Sequence, residues 1–220
     1  MKLTNYDSKL NQILLKVADL VVLNLLYILC CLPIFTIGAA QAGLFTGIKV
    51  LMDKEDDSSC TKAFFQGFRN GFKTITLVHC IFCVLIAGLV HFLIWQYGDV
   101  NAPVWMILIA LILATSLHTQ MAPFHATFSC TAFQLLRNVF MVALGHPLQS
   151  LVITAALYLP VAVLLLFPNY FAVAFILLIA IYYSGVYWLA FTLMKKPFQK
   201  IKDVYLEAQK EADEPAASEE

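Results

Sequence analysis

Charge is what this chain has least of. Only 13% of its 220 residues are charged, while 61% are hydrophobic. Soluble domains carry roughly 45–50% apolar residues, and a domain of this size has too little interior to hide the excess. A soluble globular protein is therefore excluded. The net charge is zero, so no general attraction draws the chain to nucleic acid. No carboxylate lies deep in an apolar run. Ion-driven transport usually needs one there, although backbone carbonyls can substitute. Catalytic motifs are missing as well. There is no H-E-x-x-H, G-x-S-x-G, phosphate loop or dinucleotide fingerprint. No enzymatic activity, cofactor or metal site is expected. The first 16 residues lack a cleavable-signal pattern, so the first apolar segment is expected to be retained.

What the chain does have is apolar runs near the roughly 20 residues that cross a bilayer. They fall at 17–32, 36–51, 75–96, 104–122, 149–167 and 170–193. The expected fold is all-α: a polytopic membrane helical bundle of six spans, forming one membrane domain over 1–200. The first two runs are short, about 24 Å each at 1.5 Å per residue, and cross the bilayer or form a re-entrant hairpin; crossing is favoured. Residues 60–73 place Phe64, Phe65, Phe68 and Phe72 on one face and Lys62, Gln66, Arg69 and Lys73 away from it, which suits a helix in the headgroup layer. Residues 127–144 read as a second such helix, with a seventh span as the alternative. Residues 1–16 read as a surface segment. The tail, 201–220, starts as a weak amphipathic helix and ends in an acidic, disordered stretch.

Sidedness follows from the fourteen Lys and Arg residues. Three precede the first span, five run from Lys49 at the end of the second span to Lys73 before the third, one is Arg137 and five follow the last span. With six spans all fourteen share a side, which is cytoplasmic. Both termini are then inside and the protein sits in the cytoplasmic membrane. A seventh span would put five lysines outside.

An internal match supports a parallel repeat. Residues 65–72 (FQGFRNGF) and 133–140 (FQLLRNVF) agree at five of eight positions. The same offset of 68 carries the turn at 97–103 onto the one at Pro168-Asn169. The unit would be a surface helix followed by two spans.

Polar residues inside apolar runs default to a functional hypothesis. They are Asp19, Asn24, Gln41, His79, His91, His118 and Gln120. Asp19 can pair with Lys16, three residues away. Asn24 and Gln41 are expected to hydrogen-bond between adjacent helices. His79 and His91 stand about 18 Å apart on one helix, too far to share an ion. The six cysteines fall in no outside loop, so no disulfide is expected. Cys80 and Cys83 form a C-x-x-C that reads as apolar filler.

The stretch Leu32-Pro33-Ile34-Phe35-Thr36-Ile37-Gly38 joins the first two runs. Pro33 stops the first helix, and Thr36 is placed to cap the next with its hydroxyl oxygen. Pro123 is expected to end the fourth. Ala39, Gly43 and Gly47 then recur every fourth residue. They leave a face almost bare of side chains, which admits a close neighbour in lipid. The neighbour expected from the short turn is 17–32.

Residues 24–40, NLLYILCCLPIFTIGAA, resemble the signature of the YesL-like family of bacterial integral membrane proteins. The Phe-rich helix with Asn70 and the stretch Gln120-Met121-Ala122-Pro123-Phe124 fit the same family. The resemblance runs from about residue 15 to 200. It implies a multi-span membrane protein of unknown activity, encoded near carbohydrate uptake systems in Gram-positive bacteria. The expected function is a non-enzymatic accessory role, with the bilayer and a sugar transporter or other membrane protein as partners. The alternative is a small-solute transporter with a polar site at mid-depth.

Overall fold

The structure, a computed structural model, describes residues 3–53, 59–95, 102–128, 130–166, 169 and 181–213. These form seven α-helices: α1 (Leu3–Cys30), α2 (Ile37–Met52), α3 (Cys60–Trp95), α4 (Ala102–Thr127), α5 (Ala132–Gly145), α6 (Pro147–Leu166) and α7 (Tyr183–Asp213). A single 3₁₀ turn, Ile34–Thr36, joins α1 to α2. No strand occurs among the described residues.

Four stretches are long and apolar enough to cross a membrane: Leu10–Cys30, Ile34–Met52, Cys60–Trp95 and Val104–Thr127. Helices α5 and α6 qualify only as a pair, bent by 105° at their junction. The described residues thus supply four spans, or five with the bent pair, against the six expected. Residues 170–180 of the sixth expected span lie outside the described residues, as do 54–58, 96–101 and 214–220. Outer faces carry exposed Leu77, Val84, Ile94, Ile109 and Val161, which suits a lipid-facing surface. Helix α2 is the most enclosed of the four, and the core of Leu23, Leu44, Phe45, Phe64, Ile75, Met121, Phe124 and Tyr187 gathers round it.

Several expected boundaries do not exist. The surface segment 1–16 and the first span share α1. Residues 60–73 and 75–96 share α3, which runs unbroken through Lys73-Thr74-Ile75. The last span and the tail share α7, which passes Lys195, Lys196 and Pro197 without ending. The reason is physical: passing from polar to apolar composition changes the medium around a helix but removes no backbone hydrogen bond. At 36 residues, α3 is about 54 Å long, so part of it stands outside a roughly 30 Å hydrocarbon core. The two copies of the proposed repeat therefore differ in shape. The first has one continuous helix where the second breaks at Gly145-His146-Pro147.

Helix α5 has 14 residues, about 21 Å, too short to cross alone. Its start is fixed by a capping box between Thr131 and Gln134, with the Thr131 N–H donating to the Gln134 side-chain oxygen at 3.1 Å.

Pro123 does not end α4, which continues to Thr127. Interior prolines persist in membrane helices where other groups satisfy the freed backbone. Pro160 shows how. It lies inside α6 and has no N–H for the carbonyl of Ala156. That carbonyl instead accepts a hydrogen bond from the Tyr182 hydroxyl.

Candidate functional site

The α1–α2 turn does more than reverse the chain. Leu32, Pro33, Ile34 and Phe35 are on its outer side, while Thr36 is buried. The Thr36 hydroxyl makes no cap bond to α2, contrary to the sequence expectation. It donates backward, with the Cys30 carbonyl at 2.5 Å and the Pro33 carbonyl at 2.6 Å. The last carbonyls of α1 have no partner within their own helix, so the hydroxyl serves the end of one helix instead of the start of the next.

The bare face of α2 lies against α3 as well as α1. A Cβ on Gly38 would sit 2.8 Å from the His79 Cβ, and one on Gly43 would sit 2.8 Å from the Phe64 carbonyl oxygen. One on Gly47 would meet the Leu23 side chain at 2.7 Å and the Cys60 carbonyl at 3.1 Å. Residue numbers fall along α3 as they rise along α2, so the two helices are antiparallel. Helix α3 brings small residues of its own. A Cβ on Gly67 would lie 2.3 Å from Thr46 Oγ1, and one on Gly71 would lie 3.2 Å from Ala42 Cβ. The Gly67-x-x-x-Gly71 spacing is legible in the sequence but hidden inside a segment that reads as a Phe-and-Lys surface helix. Phe64, expected in the headgroup layer, is fully buried against the seam, whereas Phe65 is half exposed. Ala39 is fully buried too.

The polar residues of the spans come together in ways that spacing along one helix cannot show. Asn24 is fully buried, and its side-chain oxygen accepts from the Ser184 N–H of α7 at 3.0 Å. This bond ties α1 to α7, whereas the expected partner was Gln41 on α2. Gln41 is buried. Half-buried Asp19 lies beside the Cys60 thiol at the start of α3. His79 Nδ1 is 2.7 Å from His118 Nε2. Cys83 Sγ is 3.4 Å from His79 Nε2, and the Tyr158 hydroxyl is 3.5 Å from His118 Nδ1. One line of polar groups thus crosses from α3 through α4 to α6. Beside it, the Thr119 and Thr154 hydroxyls meet at 2.9 Å. Gln120 is fully buried, with neither side-chain amide atom hydrogen-bonded.

The observed helix bounds account for the histidine pair. His79 lies sixteen residues before the end of α3, and His118 sixteen after the start of α4. Counted from these two helix ends, both lie at one depth. All six cysteines are free. Among the described residues, no three His, Cys, Asp or Glu side chains are grouped to hold a metal ion.

Cavities occur at the opposite level of the bundle, where α2 and α4 end and α3 begins. One of about 180 Å³ is bordered by Lys49, Asp53, Lys195 and Lys202 with Phe45 and Phe191. A second, of about 390 Å³, is bordered by Gln134, Arg137, Asn138 and Phe128. Thr127, at the end of α4, borders both. A third includes Phe65, Phe72, Arg69 and Lys73. None of these is lined by Asn24, Gln41, His79, His118 or Gln120.

The glycine seam and the turn before it fall within the part of the chain that a family model covers. No curated protein and no solved structure matches the chain. Residues 20–92, from within α1 to near the end of α3, match the family described as "Protein of unknown function, DUF624".

Proposed function

We propose that this chain is a six-span protein of the cytoplasmic membrane with both termini inside, and that it acts as a non-enzymatic accessory component of carbohydrate uptake. The observation that carries the accessory role is that, among the described residues, five interior polar side chains are buried and border none of the three cavities above. Asn24, Gln41, His79, His118 and Gln120 are all buried, and both histidines are hydrogen-bonded to neighbouring groups of the chain. The three cavities described above stand instead at one end, among cations and phenylalanines. A protein that works through its end surface fits this arrangement better than one that passes a solute through its centre. The YesL-like resemblance, consistent with the family match, supplies the link to sugar uptake. The cation distribution supplies the orientation.

One observation favours the transporter reading. Gln120 keeps an unpartnered amide in the interior, and such a group is costly unless something occupies its hydrogen bonds. The purified chain in proteoliposomes separates the two readings. The accessory role predicts no sugar flux above empty vesicles, together with co-purification of a sugar transporter after crosslinking in native membranes. Flux by the chain alone would overturn it. For orientation, cysteines at 99 and 169 in a cysteine-free background should react with an impermeant reagent in intact cells. One at 60 should not.

A further inference from the structure

We infer that the cleft between the end of α2, the end of α4 and the middle of α7 binds the phosphate of an anionic phospholipid headgroup. The inference rests on the membrane-embedded reading and on nothing else in the proposed function. Three lysines border this cavity, Lys49, Lys195 and Lys202, against one carboxylate, Asp53. They come from two helices far apart in sequence, so the fold, not a local charge run, assembles them. At about 180 Å³ the cavity greatly exceeds the roughly 10–15 Å³ that one water requires.

A solvated lysine face would explain three cations at a helix end, but two features separate this cleft from such a face. Lys49 is half-buried in the last turn of α2. Lys195 turns its ammonium back over the Phe191 ring, 5.8 Å from the centroid. The C-terminal dipole of α2 draws a cation within its own last turn, which accounts for Lys49 but not for Lys195 or Lys202 on α7. The same cavity is lined by Phe45, Phe191 and Phe198. Cations beside apolar rings, at the level where membrane-spanning helices end, match a phosphate with the start of its acyl chains. Basic pockets between membrane helices recognise headgroups in this way. Inorganic phosphate shares the charge but has nothing to lay against the rings.

Trp188 is the natural reporter. It lies on α7, and its ring N–H points at Met52 Sδ, 3.0 Å away and next to Asp53. With Trp95 and Trp105 changed to Phe, Trp188 is the sole tryptophan. The protein is reconstituted in phosphatidylcholine bilayers, and either dibrominated phosphatidylglycerol or dibrominated phosphatidylcholine is added. The anionic quencher should act at a clearly lower mole fraction. Lys195→Gln with Lys202→Gln should remove that preference, at about fivefold per lysine. The paired Arg replacements should keep it and show that the variants fold. Lys62→Gln with Lys73→Gln removes the same charge outside the cleft and should also keep it. Equal quenching by the two lipids would overturn the site, as would loss of preference in the Lys62/Lys73 variant. Abolition of the preference by inorganic phosphate would overturn the lipid as the ligand. Quenching by neither lipid would overturn the membrane placement and the site with it.

Discussion

His79 Nδ1 and His118 Nε2 stand 2.7 Å apart across the α3–α4 interface, both rings buried. Two neutral imidazoles at this distance share one N–H, and the choice of donor propagates. If His79 donates from Nδ1, its Nε2 accepts from the Cys83 thiol, and His118 Nδ1–H faces the Tyr158 oxygen. If His118 donates from Nε2, every bond in the line reverses. Both arrangements leave the line uncharged, and in each His79 has one N–H, for which the Ile34 carbonyl is a further acceptor. Replacing one histidine leaves the other with an unmatched buried nitrogen, which costs about 1–3 kcal/mol. His118→Leu should therefore lower the melting temperature in detergent, and so should His79→Leu. The double variant should lose less than the sum, with a coupling of about 0.6–2 kcal/mol. Strict additivity would mean that the pair contributes nothing as a pair.

The α2–α3 seam makes a prediction that separates glycines by position. Gly43→Ala puts a methyl 2.8 Å from a backbone carbonyl that belongs to α3, and Gly67→Ala puts one 2.3 Å from Thr46 Oγ1. Either should force the helices apart and cost about 1–3 kcal/mol. Gly88 lies on the same helix α3, and a methyl added there would have nothing within 4 Å. Gly88→Ala should be neutral or stabilise by up to about 1 kcal/mol through helix propensity. Melting curves of the three variants test this directly. Equal losses at all three positions would show that the seam has no special closeness.

Some of this architecture is plain in the sequence, and the limits are physical. The runs at 17–32, 36–51, 75–96 and 104–122 are legible because hydrocarbon demands apolar side chains along the whole length of a span. Continuity of α1, α3 and α7 is not, because a fall in hydrophobicity marks where a helix leaves the hydrocarbon, not where its hydrogen bonds stop. The small residues of α2 are visible as a bare face. Their partner is not, since Gly67 and Gly71 sit among phenylalanines and lysines that suggest a surface. His79 and His118 each stand out singly but not as a pair. Spacing along a helix relates a residue only to neighbours on that helix, and depth is what brings these two together.

Thr36 tests whether the turn is held by side-chain chemistry or by Pro33 alone. One hydroxyl hydrogen lies between two carbonyls, those of Cys30 and Pro33, and the residue is buried. Thr36→Val keeps the shape and removes the donor. It should cost about 1–3 kcal/mol because the Cys30 carbonyl loses its donor, while the Pro33 carbonyl keeps the Thr36 N–H at 2.9 Å. Thr36→Ser keeps the donor and should recover most of that. If Ser and Val melt alike, the shape of the side chain matters and the hydroxyl does not.

Pro160 and Tyr182 provide the sharpest test of the packing, because their roles are linked by one atom. Proline at 160 deprives the Ala156 carbonyl of its helical donor, and the Tyr182 hydroxyl takes that place. In the native background Tyr182→Phe should therefore strand a carbonyl and destabilise the protein by about 0.6–2 kcal/mol. In a Pro160→Ala background residue 160 has its own N–H, the carbonyl is served within α6, and the same Tyr182→Phe change should cost little. The four melting temperatures form a closed cycle, so other effects of Pro160→Ala on α6 cancel from the coupling term. An equal cost of Tyr182→Phe in both backgrounds would show that the hydroxyl is not compensating for the proline. A cost confined to the proline background would show that a tyrosine next to the start of α7 is what allows α6 to keep a proline inside the membrane.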